Sequence, residues 1–99
     1  MAQKVEVVVA RSARDDLNGI LEYIRVDSPR AAVKIISEIY RRLRRLPRFP
    51  KSGRIIPEIV DFSLREIISG PYRVMYRLET RKIIVLRVLH GKRLFTEEF

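Results

Sequence analysis

Seven residues spread between positions 54 and 93, Arg54, Glu58, Arg65, Arg73, His90, Lys92 and Arg93, supply one carboxylate, the only imidazole of the chain and five cations. Those groups suit one reaction in particular. Cleavage of RNA by its own 2′ hydroxyl needs a base, an acid for the leaving oxygen, and cations around a phosphorane-like transition state. Glu58 or His90 would serve as base or acid, and Arg65, Arg73 and Arg93 as electrostatic stabilisers. Arginines gathered with no acid between them repel one another, which a fold tolerates more easily with an anion in the gap. The same residues also fit a plainer role, in which His90 closes a strand and Glu58 pairs with a neighbouring arginine.

A second cationic group lies in the run RRLRRLPRFPKSGR, residues 41–54, with seven basic residues and no acid. Arg41, Arg42, Arg44 and Arg45 flank Leu43 and Leu46 and surround the exposed end of a helix, near the negative end of its dipole. They offer either a solvated face or a contact for a polyanion. The charge of the whole chain is +9, from 21 Lys and Arg against 12 Asp and Glu. It is uneven. Residues 1–40 balance six basic residues with six acidic ones, so the excess lies beyond residue 40 and points to nucleic acid or an acidic protein segment as partner.

These groups must be positioned by elements that the apolar pattern defines. Val5, Val7 and Val9 alternate as in a strand, and RSARDD then opens a helix in which Ser12 and Asp15 resemble a capping box. Ala13, Leu17, Ile20, Leu21 and Ile24 form its stripe. Ser28 and Pro29 start a second helix, with Ala32, Ile35, Ile36, Ile39, Leu43 and Leu46 facing inward until Pro47 ends it. PRFPKSGRIIPE, residues 47–58, reads as a stiff ordered loop. SLREIIS, YRVMYRL and KIIVLRVL follow as three strands joined by tight turns at GP and ETR, which implies antiparallel meander pairing. In the middle one, Tyr72, Val74, Tyr76 and Leu78 take the core face, and Arg73, Met75 and Arg77 a cationic face. Arg65, Arg73 and the end of the last strand are expected to share that surface, with Arg54, Arg77 and Lys92 contacting the target.

The resulting order is β-α-α-β-β-β, an α+β fold with a helical hairpin on a twisted, mainly antiparallel sheet, in one domain over 1–99. Cysteine is absent and one histidine with scattered carboxylates forms no ligand cluster, so no metal, disulfide or redox cofactor is expected. With no apolar run of membrane-spanning length and no export signal, a cytoplasmic location is expected.

SPRAA, the helix ending RLPRFPKSGRIIPE, then LREI, YRVMYRL and VLRVLHGKR together resemble the RelE/ParE superfamily of toxins over nearly the whole chain. The resemblance implies a small microbial-RNase-like sheet with two N-terminal helices, and a cognate antitoxin that wraps the toxin with an amphipathic helix and an extended acidic segment. It implies that Arg41, Arg42, Arg44 and Arg45 assist that binding. In RelE-like members, which cleave messenger RNA on the ribosome, Arg73 and Arg93 match two functional arginines and Arg65 falls where a functional lysine is usual. Ser63 stands in place of the RelE-type base lysine, and Phe95 and Phe99, not tyrosine, follow Arg93. Glu58, His90 and Arg65 offer a YoeB-like set instead. The wording of SPRAA, GRIIPE and HGKRLF is nearer to the ParE or plasmid-stabilisation branch, whose characterised members poison DNA gyrase without cutting RNA. Gyrase poisoning, ribosome-dependent and metal-independent RNA cleavage, and an inactive antitoxin-binding homologue are the three functions that follow.

Overall fold

The computed structural model describes residues 5–59 and 61–91, and the sequence-based expectations for Lys92, Arg93, Phe95 and Phe99 fall outside them. Its elements are β1 (Glu6–Val9), α1 (Arg11–Arg25), α2 (Pro29–Arg45), β2 (Arg54–Ile55), β3 (Leu64–Ser69), β4 (Tyr72–Glu79) and β5 (Lys82–His90). The sheet runs β1-β5-β4-β3-β2, parallel between β1 and β5 and antiparallel elsewhere. This is the expected architecture with one addition, the two-residue strand β2 inside the segment read as loop. The helices link β1, at one edge of the sheet, to β2, at the other, and both pack on one face.

Local chemistry explains the helix ends. The Ser28 hydroxyl accepts the Ala31 amide at 3.1 Å and Pro29 fills the first helical position, as the sequence predicts. The capping box expected for α1 is not formed. Its N-cap is Ala10 without a side-chain bond, and the Ser12 hydroxyl instead donates to the Leu86 carbonyl at 2.6 Å. A distant strand edge offers Ser12 a better acceptor than its own helix.

The main core lies between helices and sheet. Ala13, Leu17, Ile39, Leu43 and Leu46 meet Tyr72, Val74, Tyr76, Ile83, Val85 and Val88, all buried. Burial of such side chains contributes roughly 1.5–3 kcal/mol each. On the opposite face Met75, Leu64 and Leu89 form a second, smaller core, covered by Ile56 from the segment after β2. The far face is therefore no open cationic surface: its centre is apolar and roofed.

β5 is central, paired with β1 up to Val9 and Val85 and with β4 along its length. Between Met75 and Tyr76 the register slips, Met75 facing Arg87 and Tyr76 facing Val85, so Leu86 is the extra residue of a bulge. Beyond the bulge β1 has run out, and α1 takes its place: Ser12 binds the Leu86 carbonyl and the Asp16 carboxylate accepts the Val88 amide at 2.8 Å.

Candidate functional site

The far face of the sheet holds a chain of charges. Glu66, fully buried on β3, accepts Arg54 Nε at 2.6 Å and Arg73 Nε at 2.8 Å. Both terminal nitrogens of Arg73 then donate to Glu58, at 2.7 Å each. A fork of this kind is the strong geometry for guanidinium and carboxylate. Arg73 itself is buried, and its two carboxylate partners raise its affinity for its proton further, against the opposing effect of burial. Hydrogen bonds from Arg73 hold the Glu58 carboxyl below the usual glutamate range.

Arg65 does not join this group. It faces Tyr76, and so the helix side of the sheet, whereas Arg73 faces Ile68 and Leu89 on the far side. The expectation that Arg65 and Arg73 share one surface is corrected by strand parity, since odd-numbered β3 residues and even-numbered β4 residues point the same way. Arg65 Nη1 donates to the carbonyls of Gly53 at 2.9 Å and Lys51 at 3.3 Å, which ties the loop after α2 to the sheet. Tyr76 does the same from the next strand. Its buried hydroxyl donates to the Pro50 carbonyl at 2.8 Å and accepts the Gly53 amide at 3.0 Å.

His90 ends β5 across from Tyr72, the two rings meeting edge to face with centroids 5.7 Å apart. It is exposed, on the side of Tyr72 and not of Arg73. Arg77, half-buried on the far face, stands across from Leu64 and Ile84, and its charge adds to the Ser63 hydrogen bonds that chiefly lower the Asp61 pKa. Arg41, Arg42, Arg44 and Arg45 are all exposed at the end of α2, and Arg41 and Arg42 share Glu38 at 2.7 and 3.3 Å.

Two corrections follow for the sequence-predicted set. Acid does stand between the arginines, because Glu66 and Glu58 occupy Arg73 from two sides. The candidate nuclease residues are also divided, with Arg73 and Glu58 on the far face, Arg65 on the helix face and His90 at the strand end. Glu66 and Asp16 were missed by sequence reasoning. Their only signal was a lone acid inside an apolar strand for Glu66, and an acid one helical turn after Ser12 for Asp16. Among the described residues, no three His, Asp or Glu side chains converge to hold a metal ion, and no helix is long and apolar enough to cross a membrane.

Comparison with known proteins bears on this geometry. Residues 7–95 match the family described as the ParE toxin of the type II toxin-antitoxin system, parDE. The chain is similar in structure to the chromosomal ParDE toxin-antitoxin system of P. aeruginosa, with 20% sequence identity and a TM-score of 0.76, over 92% of this chain and 100% of that one. It is also similar to the RelBE2 toxin-antitoxin complex of Mycobacterium tuberculosis, with 22% identity and a TM-score of 0.59, over 88% of this chain and 98% of that one. The comparison with curated proteins gave no match. At these identities the two structures speak for the fold, two helices on a five-stranded mixed sheet.

Proposed function

The chain belongs to the ParE toxin family of type II toxin-antitoxin systems, and from that premise we propose that it stops growth by binding DNA gyrase in the cytoplasm, without cutting RNA, until a cognate antitoxin neutralises it. The observation that carries this reading is the state of Arg73. A nuclease arginine must present donors to a phosphate, yet Nε, Nη1 and Nη2 of Arg73 each donate to a carboxylate at 2.7–2.8 Å. Glu58 is equally committed, since a carboxylate that accepts two such bonds and has a lowered pKa is a poorer base. Of the remaining described members of the set, Arg65 points to the helix side of the sheet, and His90, at the end of β5, stands across from Tyr72 and not from Arg73.

Supercoiling by purified gyrase tests the reading, with messenger RNA mapped on ribosomes in parallel. The expected result is inhibited supercoiling, accumulation of cleaved DNA, no new RNA ends, and undiminished toxicity of His90→Ala. Ribosome-dependent cuts that vanish in His90→Ala would overturn it in favour of a nuclease.

A further inference from the structure

β1 is an edge strand with one free side. Its backbone alternates: Glu6 donates its amide to the Arg81 carbonyl at 3.0 Å and Ala10 donates to the Val85 carbonyl at 2.9 Å, so the even-numbered residues bond β5. Val7 and Val9 therefore turn their N–H and C=O groups away from the sheet, and no strand among the described residues takes them. The opening is short and bounded. From Ser12 onward α1 occupies the edge of β5, through the Leu86 carbonyl and the Val88 amide. An unpaired strand edge of this kind is a template for another strand.

What surrounds the edge decides the occupant. A recess of about 530 Å³ runs along β1, and its charged lining residues, Glu6 and Arg14, cancel. Tyr40, partly exposed, adds an apolar wall to it. On the far face Val8 and its β5 neighbour Ile84 are half-buried, and neither joins the second core under Ile56. A strongly acidic or basic partner finds nothing to match here. A second copy of the chain does, because the edge is its own complement. The opposite edge, beside β3, carries Arg42, Arg45 and Arg54, and two copies brought together there would repel.

We propose that two copies of the chain pair antiparallel through β1, about a two-fold axis at Val8, so that their five-stranded sheets become one continuous sheet. In that register Val7 of each copy faces Val9 of the other, and each such pair exchanges two hydrogen bonds. Val8 meets Val8 across the axis, in a pair without hydrogen bonds whose Cα atoms approach to about 4.5 Å. Val8 and Ile84 of both copies then close one apolar strip. Glu6 comes opposite Ala10 of the other copy, one position from Arg11. Both Glu6 and Arg11 are exposed, and neither has an ion-pair partner among the described residues of a single chain. The symmetry makes that opposite-charge contact twice. The inference does not depend on the gyrase reading.

Sedimentation equilibrium of the purified chain, at increasing concentration, tests the proposal. A reversible dimer is expected. Glu6→Arg and Arg11→Glu are each expected to weaken it about tenfold with an unchanged circular dichroism spectrum, and the two together to bring Kd back within about threefold of the wild type. Since the sequence has no cysteine, Val8→Cys gives a single thiol at the axis, where the Cα spacing suits a disulfide. Under mild oxidation it is expected to form a covalent dimer much faster than Val33→Cys, which is exposed on α2. A chain that stays monomeric at every concentration overturns the proposal. So does a dimer indifferent to the charge variants, or one in which Val33→Cys cross-links as fast as Val8→Cys.

Discussion

Arg65 and Arg73 occupy adjacent strands and yet point to opposite faces of the sheet, Arg65 toward the loop carbonyls of Lys51 and Gly53, Arg73 toward the carboxylates of Glu58 and Glu66. They have no hydrogen-bond partner in common. Substitutions at sites without shared partners add within about 0.5 kcal/mol, whereas two cations of one anion site couple. Arg73→Ala leaves a fully buried Glu66 with Arg54 alone and is expected to cost about 3–5 kcal/mol. Arg65→Ala removes two neutral-acceptor bonds and is expected to cost about 1–2 kcal/mol. Urea unfolding of the single variants and the double variant checks the sum; a coupling well above 1 kcal/mol would place both arginines in one site after all.

Gly53 is fixed by what surrounds it. A Cβ at this position would lie 2.5 Å from the Tyr76 hydroxyl and 2.6 Å from the Glu66 carbonyl, distances that no packing accommodates. Gly53→Ala should therefore push the loop off the sheet and lower stability by about 2 kcal/mol or more. Tyr76→Phe removes the hydroxyl but keeps the ring carbon Cε1, itself 2.9 Å from that Cβ, and it loses the bonds to Pro50 and Gly53. Because the Glu66 carbonyl remains in place, Tyr76→Phe is not expected to rescue Gly53→Ala. Thermal melts of the two single variants and the double variant measure this directly, and restoration of the wild-type midpoint in the double variant would contradict it.

The bond between Glu58 and Arg73 also makes a prediction about acid. Glu58 titrates below its ordinary value of 4.5 in the folded chain, chiefly because Arg73 donates to it. A carboxyl with a depressed folded pKa binds fewer protons when folded than when unfolded. Its stabilisation is thus complete above the unfolded value and is lost as pH falls through the folded one. Stability should therefore hold near pH 5 and decline below 4.5, and Glu58→Gln should flatten that decline. Glu38 and Asp61 are shifted in the same direction, by Arg41 and Ser63, so some slope remains in the variant. Urea midpoints measured from pH 3 to 6 compare the two proteins.

What the sequence disclosed and what it hid divide along one physical line. Ser28, Pro29 and the alternation of Tyr72, Val74 and Tyr76 act through neighbours a few residues away, and each formed the element that its spacing predicts. Ser12 and Asp15 had equally local signals, but Ser12 found the Leu86 carbonyl 74 positions on. Glu66 looks like a solvent-facing acid in a half-buried strand, because its partners lie 12 residues before it and 7 after it and nothing in the chain links the three. The expected cationic face failed for that reason: an arginine count carries charge but not the acids that fold onto it. Strand parity separated Arg65 from Arg73, and parity across a turn depends on the register of pairing.

Asp16 is the acid whose loss should be felt furthest from its own helix. One carboxylate accepts Arg87 Nε at 2.8 Å, Arg87 Nη2 at 3.1 Å and the Val88 amide at 2.8 Å, where β1 no longer covers β5. Those bonds raise the Arg87 pKa and fasten α1 to the central strand. Asp16→Ala leaves the amide of a buried residue without an acceptor and a guanidinium without its anion, and is expected to cost about 3 kcal/mol. Asp16→Asn keeps one acceptor oxygen but not the charge, and is expected to cost about half as much. A purely electrostatic role would make the two variants equal, whereas a role in completing the strand edge separates them. The Val88 amide is the direct reporter: its hydrogen exchange should accelerate strongly in Asp16→Ala, less in Asp16→Asn, and not at all in Asp15→Ala, whose side chain is exposed one position away.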